Sequence, residues 1–163
     1  MHFAKFVKSA ILLLLLAVGL TVPAHAQGNK QVISGTWYED RASGITSSNT
    51  ITLTLTQTPA NKLLNLTHVA CTISTKSTQA LLNVDLNVGS TPGGLDLGRP
   101  YPVRGNVSPQ VTNSTNSWSV VTDRVYYKVG PGRYPSIVIV TSNDGASYSI
   151  FATCVIVGEL SDS

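Results

Sequence analysis

Charge is scarce in this chain. Lysine, arginine, aspartate and glutamate make up 12 % of its 163 residues, with eleven basic residues against eight acidic ones. From Lys30 to Arg133 the basic residues stand singly. They form no stripe that could follow a phosphate backbone, so nucleic acid is not an expected partner. Histidine is scarcer still: His2 and His25 lie near the N-terminus, and only His68 stands beyond them. One histidine and two cysteines are too few for a zinc site, so neither a metal nor a cofactor is expected. A Ser-His-Asp arrangement would have to use His68, which lies in the middle of a β-like run beside Thr67 and Val69. The chain has no nucleophile elbow, P-loop or dinucleotide fingerprint. The glycine-rich Gly93-Gly94-Leu95-Asp96-Leu97-Gly98 has the wrong spacing for one and reads as a loop. The acids after the N-terminal segment are Glu39, Asp40, Asp85, Asp96, Asp123, Asp144, Glu159 and Asp162. No two of them are nominated as a pair for glycoside hydrolysis. The expectation is a protein that is not an enzyme, with no catalytic residue.

Helical periodicity is also missing after the first 26 residues. Those residues have their own pattern. Lys5 and Lys8 precede an apolar run through Leu12-Leu13-Leu14-Leu15-Leu16, Pro23 interrupts it, and Ala24-His25-Ala26 offers a small-x-small exit. Charged start, short apolar centre and Ala-x-Ala read as a secretory signal peptide cleaved near Ala26. The run is too short for a membrane span, so none is expected in the mature chain. The expected organisation is a signal peptide over 1–26 and a single domain over 27–163, exported to the periplasm or the medium. Without Lys5 and Lys8 the mature chain is close to neutral.

The mature chain alternates in hydropathy with a period of two. Val32 to Tyr38 reads as a first strand, and the charged, Ser- and Gly-rich Glu39 to Asn49 as a loop. Ile51, Leu53 and Leu55 share one face, opposite Thr52, Thr54 and Thr56. Over Leu63 to Thr75 the apolar parity switches near Thr67-His68, which suggests a bulge or a crossing between sheets. Ala80, Leu82, Val84, Leu86 and Val88 form an inward row. Arg99 to Asn106 holds Pro100 and Pro102 and reads as an edge strand or ordered loop. Val121, Val125, Tyr127 and Val129 share a parity within Trp118 to Val129. Ile137 to Val140 reads as a central strand, Asn143-Asp144-Gly145 as a hairpin turn, and Tyr148 to Leu160 as the closing strand. Seven to eight strands with turns between them predict an all-β antiparallel sandwich of jelly-roll or Greek-key type, with a closed up-and-down barrel as the alternative. Cys71 and Cys154 fall in an early and the last strand, on core-facing positions. In an oxidising compartment they are expected to form a buried disulfide joining those strands.

The segment Ser34-Gly35-Thr36-Trp37-Tyr38-Glu39 resembles the Gly-x-Trp first strand of lipocalins and the opening strand of avidins. That resemblance implies a calycin-like barrel with Trp37 at its closed end and a small apolar ligand in its mouth. His68-Val69-Ala70-Cys71, with Ala152-Thr153-Cys154 and Gly158 near the end, is similar to small exported bacterial sandwich proteins. The first functional expectation is an exported, non-enzymatic binding or interaction module, its partner a glycan or cell-envelope component. Tyr101, Trp118, Tyr126 and Tyr134 lie in or beside loops and are its candidate ligand contacts, because aromatic rings can stack on sugars. The apolar-ligand barrel is the second expectation, and a hydrolase, which would need either an acid pair or a working His68, the third.

Overall fold

A computed structural model describes residues 30–98, 100–103, 108–142 and 149–163. The expected signal peptide, the expected turn at Asn143-Asp144-Gly145 and Tyr148 lie outside the described residues. Among those described, ten strands form: β1 (Lys30–Ser34), β2 (Trp37–Thr46), β3 (Thr50–Thr54), β4 (Lys62–Lys76), β5 (Leu81–Gly89), β6 (Tyr101–Pro102), β7 (Gln110–Thr112), β8 (Thr115–Val129), β9 (Tyr134–Thr141) and β10 (Ile150–Asp162). They build two antiparallel sheets, β1-β2-β10-β4-β8-β7 and β3-β9-β5-β6. The sheets do not close on one another. The fold is therefore the expected sandwich, and the barrel alternative, with its open mouth, is not formed. Leu64, Leu66, Val69, Ile73 and Ile156 of the larger sheet and Leu53, Leu86, Ile137 and Ile139 of the smaller one belong to a single buried core.

The alternating segments become strands as expected, and β6 forms the edge of the smaller sheet beside β5. Two N-terminal expectations are corrected. Val32 to Tyr38 is not one strand: Ser34 pairs with Trp37, and the chain reverses through Gly35, whose φ of +60° suits a tight hairpin turn. Trp37 consequently lies 48 % exposed rather than at the closed end of a barrel. Glu39 to Asn49 is not a loop either. Its first part belongs to β2, which pairs with β10 from Trp37↔Glu159 to Thr46↔Ile150. The charged residues there concealed an ordinary alternation in which Tyr38, Asp40 and Ala42 all point inward and are buried. The inward row of β5 also starts later than expected. A register irregularity between Leu81 and Asn83 leaves Leu82 64 % exposed and turns Leu81 toward the core.

Cys71 and Cys154 are directly opposed on β4 and β10 and form a disulfide with their Cα atoms 4.1 Å apart. Both are buried. Buried polar groups hold the sheets together toward each end of the sandwich. At one end Asp40 on β2 accepts hydrogen bonds from the backbone N–H of Thr56, beyond β3, at 2.6 Å and from that of Arg41 at 2.8 Å. The Tyr38 hydroxyl donates to it at 3.4 Å. At the other end buried Gln79 donates to Thr141 Oγ1 of β9 at 2.9 Å, and its carbonyl accepts from Asn116 of β8 at 3.0 Å. Each cross-link satisfies groups that would be costly to bury unpaired.

Candidate functional site

The parity switch at Thr67-His68 is a bulge, and it is shared by three strands. Between β4 and β10 the register shifts at Leu66/His68, so Thr67 has no partner opposite Val157 and Gly158. Between β4 and β8, Leu66 pairs with Tyr127 while His68 pairs with Asp123. The three residues Arg124, Val125 and Tyr126 thus stand against Thr67 alone. Only glycine fits at 158, because a Cβ there would drive into the backbone carbonyl of Asn65. The same excursion reverses the parity of β8. Trp118 and Val120 face inward before it; Val125 and Val129 do so after it. Val121, expected on the side of Val125, is therefore 41 % exposed on the outer face.

Arg124 is the only non-glycine residue with positive φ among those described, at +61°. A side chain in that conformation costs about 1 kcal/mol. Such outliers persist where the surrounding structure enforces them, and they concentrate at functional sites. Here the excursion seats Val125 in the core and turns Tyr126 out, 88 % exposed. Beside it lies an open groove of about 430 Å³ lined by Asn65, Leu66, Thr67 and Arg124 through Lys128. That volume is in the range of small-ligand sites. Immediately before the excursion, His68 Nδ1 and Asp123 Oδ1 are 2.6 Å apart. The ring is one-third exposed and the carboxylate 78 % exposed.

The bulge also has a structural consequence. β7 pairs with β8 only over Thr115 to Ser117, so from Trp118 onward β8 has no second neighbour among the described residues. A bulge blunts such an edge against strand addition. That accounts for the broken ladder. It does not account for a groove floored by Leu66 and flanked by an exposed aromatic ring.

The four aromatic candidates do not converge. Tyr126 is on the groove. Trp118 is buried, and its indole N–H donates to Thr75 Oγ1 at 3.2 Å. Its expected contact role is corrected to core packing, because the inward parity of β8 before the bulge includes position 118. Tyr101 on β6 is partly buried and meets Tyr127 edge-to-face, with ring centroids 5.9 Å apart. Burial pushes the Tyr127 phenol above its ordinary value. Tyr134 begins β9, half-buried opposite Gly89 on the other sheet. Sequence reasoning passed over Arg124, Lys128, Asn65 and Asp123. One signal was available: the apolar parity of β4 breaks at Thr67-His68, and a break of that kind marks a bulge. A second depression, of about 610 Å³, lies at the opposite end between Ser74–Thr78, Ser114, Thr115, Ser149 and Phe151. It carries hydroxyls and the Phe151 ring, which is 44 % exposed against 88 % for Tyr126. Among the described residues no group of histidine, cysteine and acidic side chains is arranged to hold a metal ion. No protein-family model and no curated protein matches this chain.

Proposed function

We propose that this chain is an exported, non-enzymatic binding module whose contact site is the groove at the β4–β8 bulge, and that its ligand is a saccharide of the cell envelope or its surroundings. The observation that carries the proposal is the Arg124–Tyr126 excursion. A strained backbone holds an aromatic ring in water beside a shaped, largely apolar hollow. An aromatic face flanked by hydrogen-bonding side chains suits a sugar ring, whose C–H face stacks while its hydroxyls find donors. Export is supported by the charged–apolar–Ala-x-Ala order of the first 26 residues and by the buried disulfide, a bond that persists in oxidising compartments. No helix among the described residues is long and apolar enough to cross a membrane.

The His68–Asp123 pair is the observation that favours a hydrolase, since a carboxylate on Nδ1 is how a catalytic histidine is oriented. The exposure of Asp123 argues for binding instead, because electrostatic catalysis draws its strength from water-excluded sites. In a binding screen of purified protein against a saccharide array, Tyr126→Ala is expected to weaken the best ligand about tenfold, which is about 1.4 kcal/mol. The urea midpoint should be unchanged, since the ring is so exposed. An affinity that survives Tyr126→Ala unaltered contradicts the proposed site.

A further inference from the structure

The charges around the groove narrow the ligand further. Its lining contains two cations, Arg124 and Lys128, and no carboxylate. Both are exposed, and among the described residues neither forms an ion pair. The nearest acid in sequence, Asp123, is engaged by His68 at 2.6 Å. The next acid on this part of the sheet, Glu159, is separated from Lys128 by Asn65: Lys128 pairs with Asn65, and Asn65 with Glu159. The Asn65 amide is itself turned toward β10, donating to Ser161 Oγ at 3.1 Å. Along β8 the exposed Arg124, Tyr126 and Lys128 alternate with Val125 and Tyr127, which turn toward the core. One exposed ring therefore sits between two unpaired cations, in a chain that otherwise carries little charge.

We infer that the groove takes an acidic saccharide, a sugar bearing a carboxylate, with the ring on Tyr126 and the carboxylate on Arg124 and Lys128. This rests on the groove being the binding site. A planar guanidinium presents two parallel N–H donors to a carboxylate, and the lysine adds a compact charge on the other side of the ring. A neutral sugar would use Tyr126 but leave both cations without a partner. The backbone strain at Arg124 then has a purpose: it places a guanidinium at the rim of the hollow rather than along the strand.

The test is titration calorimetry of the exported protein with oligomers of galacturonic and glucuronic acid, each beside its methyl ester. The acids are expected to bind at least tenfold more tightly than the esters, and added salt should weaken the acids selectively. Arg124→Gly keeps a residue suited to positive φ while removing the guanidinium. It and Lys128→Ala should each weaken the acids about tenfold and the esters by less, so that the preference for acid over ester falls. Esters that bind as tightly as acids, with both losing affinity on Tyr126→Ala, would overturn the acidic ligand and leave the groove standing. Binding of neither form, or binding indifferent to Arg124→Gly, Lys128→Ala and Tyr126→Ala together, would overturn both.

Discussion

Removing the disulfide, by reduction or by the double substitution Cys71→Ala and Cys154→Ala, is expected to lower stability by about 4–5 kcal/mol if loop closure in the unfolded chain dominates. The bridge spans a sequence separation of 83, so it removes a long loop's worth of freedom from the unfolded ensemble. In the folded state it does little that the sheet does not already do. β4 and β10 pair from Thr75↔Ile150 to Lys62↔Asp162, and the bridged residues lie in the middle of that ladder. The fold should therefore persist while its stability drops by a third or more of what a domain of this kind usually has. Urea unfolding with and without reductant gives the difference, and far-ultraviolet circular dichroism should show the same strand content in both. Equal midpoints would refute the loop-closure account. Freely alkylated thiols in the native, unreduced protein would refute the bridge itself.

The second large effect is expected at Asp40. Its carboxylate is buried and accepts from the Thr56 N–H at 2.6 Å and the Arg41 N–H at 2.8 Å. Asp40→Ala leaves those donors without it and should cost about 3 kcal/mol, in keeping with hydrogen bonds to charged groups at 1.5–3 kcal/mol each. Asp40→Asn keeps one acceptor and should cost less. The two variants also separate charge from hydrogen bonding. Burial pushes the Asp40 carboxyl above its ordinary value of 3.8, while the N–H bonds from Thr56 and Arg41 oppose the rise without cancelling it. With the folded value above the unfolded one, Asp40 favours the fold most below 3.8, and that contribution declines as pH rises through the folded value. The stability difference between wild type and Asp40→Asn should therefore narrow from about pH 3 toward neutrality. A difference that widens over that range would mean that the buried carboxylate is held below its ordinary value.

Asp40 also shows why part of the fold was hidden in the sequence. Glu39-Asp40-Arg41 looks like a charged loop because a strand with a carboxylate on its buried side breaks the apolar alternation that betrays strands. Only the tertiary fold reveals the backbone N–H groups, from Thr56 above all, that make the burial tolerable. Where inward positions are apolar throughout, as in β3 and β10, period two was enough, and the Cys71–Cys154 pairing was legible for the same reason. Among the described residues ten strands form where seven or eight were expected, partly because Gly35 splits one run into a hairpin and two strands of two and three residues form at the edges. The candidate site was half legible. The parity switch at Thr67-His68 announced the bulge in β4. Its counterpart in β8 was obscured because Val121 and Val125 share a parity but face opposite sides, which a three-for-one excursion permits and regular alternation does not. Arg124 and Lys128 looked like isolated surface charges. The alternation of β8 sets them on either side of Tyr126, and the pairing of β8 with β4 places all three beside the groove.

The central claim is that this bulge is where the protein meets its ligand, and amide chemical-shift mapping tests it most directly. Uniformly 15N-labelled protein is titrated with the tightest-binding saccharide. The expected result is a contiguous set of shifts over Asn65 to His68 and Asp123 to Lys128, fading along both strands. Shifts confined to the hollow around Ser74–Thr78, with the amides of 124–128 unmoved at saturation, would contradict it.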